Sequence, residues 1–164
     1  MTPTIPAHRM QLVEVAPRQY GAMFRLSSSV DLDHGLRLLI EVRASQINGC
    51  AFCLDMHWKD ARAAGESEER LYMLSAWRES SLYDEREQAA LALCEAMTEI
   101  AGRGVPDEVW ERATAAFGPE ELSQVIFAIT VINAWNRMSI TTQSEPGHYY
   151  PGMFDSPAGA GDGR

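Results

Sequence analysis

The chain has 164 residues, of which 46% are hydrophobic and 23% charged, and a formal net charge of −9. Such a composition supplies a buried core and argues against general disorder. The acidic balance argues against nucleic acid as a partner, because phosphate binding needs a basic surface. No apolar run approaches the ~20 residues needed to span a bilayer, so no membrane partner is expected. The opening "MTPTIPAHRMQLVEV" has no secretory h-region. An odd set of three cysteines beside it fits a reducing cytoplasm.

Residues 1–16 carry Pro3, Pro6 and several β-branched side chains and read as an extended arm. Pro17 suits the first turn of a helix running to about Ser28. Asp33 is the expected cap of the next helix, in which Leu36, Leu39, Ile40, Arg43 and Ile47 recur at spacings of three and four. Asn48-Gly49 breaks that period. A new helix is expected to start there, with Asn48 as N-cap and Gly65 as terminator. Ser67 opens the helix "ERLYMLSAWRES". Asp84 and Glu87 have capping-box spacing ahead of the run "EQAALALCEAMTEI". Pro106 suits the first position of a short helix to Phe117, and Gly118-Pro119 precedes a long, strongly apolar one. The Gly- and Pro-rich stretch 145–164 reads as a loose tail.

No segment alternates as a strand does, so the fold class expected is all-α, with about seven helices. The domain plan is an arm over residues 1–16, a helical domain over 17–144 and a tail over 145–164. The last long helix is apolar on most sides and needs cover all round. A homo-oligomer would supply it. Trp58, Trp77, Trp110 and Trp135 are expected as core or interface anchors.

The stretch "INGCAFCLDMHWKD" carries the chemistry. On a helix, Cys50, Cys53 and His57 are separated by three and four residues, which stacks them on one face. An i, i+3 cysteine pair at a helix start can form a disulfide. The positive end of the helix dipole favours a thiolate there. His57, one turn beyond Cys53, is placed to accept that thiol's proton. Three other readings stand beside this one. Both cysteines can be core residues. They can also be zinc ligands, which needs a fourth partner found only by elimination among His8, His34, His148 and Cys94. A thioredoxin-like domain would need a βαβ context that is absent. Cys94 is spaced to face inward with Ala90 and Met97, as a small buried hydrophobe.

"SQINGCAFCLDMH" resembles the signature of the AhpD-like alkylhydroperoxidases within the carboxymuconolactone decarboxylase-like superfamily. The likeness continues in "KDARAAGESEERLYMLSAWRES", "DEREQAALALCEAMT" and "VINAWNRMSI", covering most of residues 18–141 in order. It implies an all-helical, oligomeric AhpD-like fold. It also implies an enzyme that reduces hydrogen peroxide or organic hydroperoxides by a dithiol, with no cofactor and no metal. By the same resemblance Cys53 aligns with the peroxidatic cysteine, Cys50 with the resolving one and His57 with the histidine of the proton relay. The implied partners are the hydroperoxide and an external dithiol reductant, either a lipoyl group or a thioredoxin-like protein. One position departs from the pattern. The relay glutamate falls twelve residues before the first cysteine, and Leu38 stands there. Glu41, one turn later, is the nearest carboxylate on that segment and is expected at the surface. The missing glutamate motivates a rival from another class: a non-catalytic oligomer that uses the dithiol as a redox sensor.

Overall fold

The computed structural model describes residues 9–154. Those residues form eight α-helices, one 3-10 helix and no strand. Helix α1 is Leu12–Val15, α2 is Pro17–Ser28, α3 is His34–Asn48 and α4 is Ala51–Ala63. Helix α5, Glu68–Met73, runs into the 3-10 helix Leu74–Glu79; α6 is Glu85–Thr98, α7 is Asp107–Ala116 and α8 is Pro119–Thr142. The all-α expectation holds.

Local chemistry explains most of the boundaries. Asp33 caps α3 by accepting from the Leu36 N–H at 2.9 Å. Ser67 caps α5 in the same way through Arg70 N–H. Asp84 and Glu87 form the full capping box of α6. Pro119 takes the first turn of α8, where its missing N–H costs nothing. Pro106 sits one position outside α7, as its N-cap.

Three expectations need correction. Asn48 is not the cap of α4 but the last residue of α3; Gly49 follows at φ 69°, and Cys50 is the N-cap. Only a residue free of a Cβ adopts that left-handed φ cheaply, so Gly49 turns the chain between the two helices within two residues. The segment expected as the single helix "ERLYMLSAWRES" kinks into the 3-10 helix, with Ala76 at φ −117°. The two terminal segments are less plain than their composition suggests. Residues 12–15 are helical, and Arg9 N–H donates to Thr142 O at 2.8 Å. Gly147 N–H donates to Asp55 at 2.9 Å, Lys59 donates to Tyr149 O at 2.9 Å, and Tyr149 OH meets Asp60 at 2.6 Å. Gly147 and Tyr149 therefore lie against α4. The rest of the expected tail, 155–164, and residues 1–8 with His8 lie outside the described residues.

Helix α3 is central, packing against α4, α6 and α8. Its two apolar sides enter different clusters. Leu36, Ile40 and Ala44 join Leu93, Val125, Ile129 and Ile132 around the two cysteines. Leu38, Leu39 and Val42 join Leu71, Leu74 and Trp77 on the other side. Each fully buried aliphatic side chain here contributes about 1.5–3 kcal/mol. Among the tryptophans, Trp77 is buried, Trp58 and Trp135 are half-buried, and Trp110 is exposed rather than an anchor within the chain. No helix among the described residues is long and apolar enough to cross a membrane.

Candidate active site

The site is made where α3 ends and α4 begins, under the second half of α8. Because Gly49 leaves α3 left-handed, Cys50 falls on the cap of α4 instead of inside it. Its Sγ accepts from Cys53 N–H at 3.4 Å, a sulfur taking the place of the usual capping oxygen. Cys50 and Cys53 are both buried, and their sulfurs are 2.7 Å apart as free thiols. A disulfide bond is about 2.05 Å long, so the two sulfurs lie side by side within reach of one another.

His57 lies one turn further along α4 and is buried. Its Nδ1 is 3.1 Å from Glu41 Oε2. The ring N–H is not aligned along that line, so we read the pair as an ion contact rather than a formed hydrogen bond. Arg37 Nε donates to the other carboxylate oxygen of Glu41 at 2.8 Å. Glu41 is thus buried between two cations, and the expectation that it is a surface residue is wrong. The reason lies in register. Leu38 is buried in the second apolar cluster, whereas Glu41 lies on the side of α3 that meets His57.

These contacts set the charges. Burial alone would raise the Glu41 carboxyl, but the charge of His57 and then of Arg37 outweighs it and holds the group down at about 2. Burial alone would lower His57. The Glu41 carboxylate reverses this, so the imidazole sits above its ordinary value. Cys50 is lowered to about 7, first by the hydrogen bond from Cys53, with burial opposing and the Cys53 N–H and the charge of His57 assisting. Cys53 is pushed far up, first by the shared proton with Cys50 and then by burial. Cys94 is fully buried elsewhere in the core, with Sγ 3.6 Å from Ile40 O, and burial lifts its thiol to about 12.

A polar seam supports the pair, and sequence reasoning missed it. Ser45 Oγ donates to Glu41 O at 2.7 Å and accepts from Asn136 Nδ2 at 3.0 Å. Asn48 Nδ2 donates to Asn136 Oδ1 at 2.8 Å and to Asn133 Oδ1 at 2.9 Å. Asn136 is fully buried, and its side chain also lowers both cysteines by hydrogen bonding, with Ser139 acting on Cys53. The signal was present as spacing. Residues 37, 41, 45 and 48 recur every three or four along α3, and 133, 136 and 139 every three along the apolar α8.

A cleft of about 160 Å³ opens beside Cys50, between Ala51 and Phe52 on α4 and Ser139, Ile140, Gln143 and Ser144 at the end of α8. As for a metal, no group of three or more His, Cys, Asp or Glu side chains is arranged to hold an ion among the described residues. His57 faces Glu41, while His34 and His148 are exposed.

The profile of the Carboxymuconolactone decarboxylase family matches residues 18–96. The uncharacterised protein YdfG of Bacillus subtilis is 40% identical over 137 residues, which is 82% of this chain and 93% of that one. The chain belongs to the carboxymuconolactone decarboxylase family. Within this family its architecture is AhpD-like. An Agrobacterium tumefaciens protein of unknown function, grouped by name with the antioxidant defence protein AhpD, superposes with a TM-score of 0.82. It is 39% identical, over 87% of this chain and 99% of its own. The debrominase Bmp8, solved in complex with 2,3,4-tribromopyrrole, shares the fold at 17% identity and a TM-score of 0.73, over 83% of this chain and 74% of its own. This family fold carries, in this chain, a buried Cys-x-x-Cys pair with a histidine–carboxylate contact one turn further along α4.

Proposed function

We propose that this protein is a thiol-dependent peroxidase, reducing hydrogen peroxide or organic hydroperoxides through the Cys50–Cys53 dithiol. The observation that carries this reading is the pair of free sulfurs 2.7 Å apart, with the Glu41–His57 contact one turn along the same helix. A thiolate of the pair attacks the O–O bond and becomes a sulfenic acid, and the peroxide leaves as an alcohol or water after taking a proton from the His57 imidazolium. The second thiol condenses with the sulfenic acid, losing one water and forming the disulfide. An external dithiol, a lipoyl group or a thioredoxin-like protein, restores both thiols by exchange and leaves as its own disulfide. The family resemblance gives the first attack to Cys53 and the resolving step to Cys50. Phe52 on the cleft wall, with Met56 on the same helix, favours an organic peroxide over a small polar one.

The buried Glu41 removes the main motive for the non-catalytic sensor, since the carboxylate absent at Leu38 is supplied one turn later. Turnover separates the two readings. With cumene hydroperoxide and excess dihydrolipoamide, the enzyme consumes many equivalents of peroxide per subunit. A sensor stops after one.

Self-association belongs to the same reading. Helix α2 buries none of its residues and leaves Phe24 and Leu26 exposed, and Phe127 on α8 is 47% exposed. Light scattering should give a mass that is a multiple of 18.2 kDa. A mass of one chain at all concentrations would count against it.

A further inference from the structure

We propose that Arg37 is a positioning residue of this site: it is the fixed counter-ion that keeps the Glu41 carboxylate ionised when His57 gives up its proton. The inference rests on the peroxidase reading and concerns the proton that the same site hands on.

Three observations carry it. Arg37 stands one turn before Glu41 on α3, and its Nε donates to Glu41 Oε1 at 2.8 Å, while His57 Nδ1 lies 3.1 Å from Oε2. Each carboxylate oxygen therefore has a basic group of its own. The second observation is burial. The side chains of Glu41 and His57 are 9% and 10% exposed, and that of Arg37 is 22%. A carboxylate so far from water needs a charge beside it at every stage of a cycle. The third is how Arg37 is held. Its Nη2 donates to Ser27 Oγ at 3.2 Å and its Nη1 to the Val30 carbonyl at 3.5 Å. The flat guanidinium thus makes contacts in three directions, and the end of α2 with the turn after it fixes the cation over Glu41.

The two basic groups differ in one respect. An imidazolium loses its charge each time it passes its proton on, whereas a guanidinium keeps its charge at any working pH. In the cycle, a thiol of the Cys50–Cys53 pair gives its proton to neutral His57 and becomes the attacking thiolate. The imidazolium then gives that proton to the departing alkoxide, which leaves as the alcohol. While His57 is neutral, Arg37 alone balances Glu41. Of the charges that act on His57, Glu41 on α3 and Asp60 on α4 strengthen its hold on the proton, and Arg37 weakens it. Cys50, on the N-cap of α4, also feels the charge of His57. Without Arg37 the buried carboxylate has the imidazolium as its remaining partner and holds that proton more tightly. The imidazolium is then the weaker acid.

The His57 imidazole is titrated by NMR in the reduced full chain, its signals assigned with His57→Gln. We expect Arg37→Met to raise the His57 midpoint by about one pH unit, a tenfold tighter hold on the proton. The alkaline limb of the pH–rate profile with cumene hydroperoxide should move up with it, and kcat should fall by about threefold, as for a weaker acid. Arg37→Gln keeps a donor for Glu41 without the charge and should give the same shift, so the test survives if Arg37→Met does not fold. Arg37→Lys restores a cation and should reverse most of it. Ser27→Ala removes one contact of the guanidinium, keeps its charge and should leave the midpoint in place. A midpoint that stays put or falls in the folded Arg37→Met or Arg37→Gln protein overturns the proposal, and Arg37 is then only a tie between α2 and α3. Absence of peroxide turnover by the unsubstituted protein fells the peroxidase reading instead, because the titration needs no peroxide and decides the charge balance by itself.

Discussion

Cys53→Ser and Cys50→Ser each abolish steady-state peroxide reduction with a dithiol, by about 10³-fold or more. The cycle needs two sulfurs, so the loss does not depend on which attacks first: a lone sulfenic acid has no neighbour with which to condense. Groups that act as one unit lose nearly everything when either is removed. The double substitution therefore falls no further than either single one, and steady-state assays of the three proteins check this. Cys94→Ala should keep wild-type turnover, because Cys94 is fully buried in the core and its thiol is raised to about 12. A residual rate within about tenfold of wild type in Cys50→Ser or Cys53→Ser would mean that the external thiol resolves the intermediate and that the pair is dispensable.

Glu41 carries the second large effect, and it divides into stability and pH dependence. Glu41→Ala leaves Arg37 and His57 facing each other without the carboxylate between them. Removing one partner of a buried ion pair costs about 3–5 kcal/mol, to be read from urea midpoints. The window follows from the two shifts. Glu41 is held at about 2, so its contribution is complete above its ordinary 4.5 and is lost as pH falls through about 2. His57 is raised above its ordinary 6.5, so its contribution is complete below 6.5 and is lost as pH rises through the higher folded value. The pair accordingly stabilises the fold most between those two ordinary values. Glu41→Gln keeps the shape and removes the charge. Burial then prevails on the imidazole, and the alkaline limb of the pH–rate profile, set by loss of the His57 proton, moves to lower pH. Activity at pH 8 drops by about 10²-fold, the usual weight of a positioned acid or base. An unmoved alkaline limb would remove His57 as the proton donor or Glu41 as its partner.

The helical plan was legible because punctuation and period agreed: Asp33, Ser67, the Asp84–Glu87 box and Pro119 all act where their spacing placed them. So was the stacking of Cys50, Cys53 and His57, which needs only helical geometry. What escaped depended on contacts between elements. Glu41 resembles a solvated residue in one dimension, and only the packing of α3 on α4 brings it to His57. Asn48 has the chemistry of a cap, yet its amide is used across 85 residues on α8, and a cysteine caps α4 in its place. The Asn133–Asn136–Ser139 row was hidden in a helix dominated by apolar residues. The segment around Gly147 and Tyr149 gave no periodic signal because it is held by polar contacts: Gly147 N–H and Tyr149 OH donate to Asp55 and Asp60, and Lys59 donates to Tyr149 O.

The most direct measurement is a thiol count on the reduced protein before and after one equivalent of hydroperoxide, with mapping of the oxidised residues. The chain starts with three free thiols. The dithiol account requires that two vanish together, joined as a Cys50–Cys53 disulfide, and that Cys94 stays reduced. Three thiols surviving the peroxide, or a stable product in which a single sulfur is oxidised and its neighbour untouched, would contradict it.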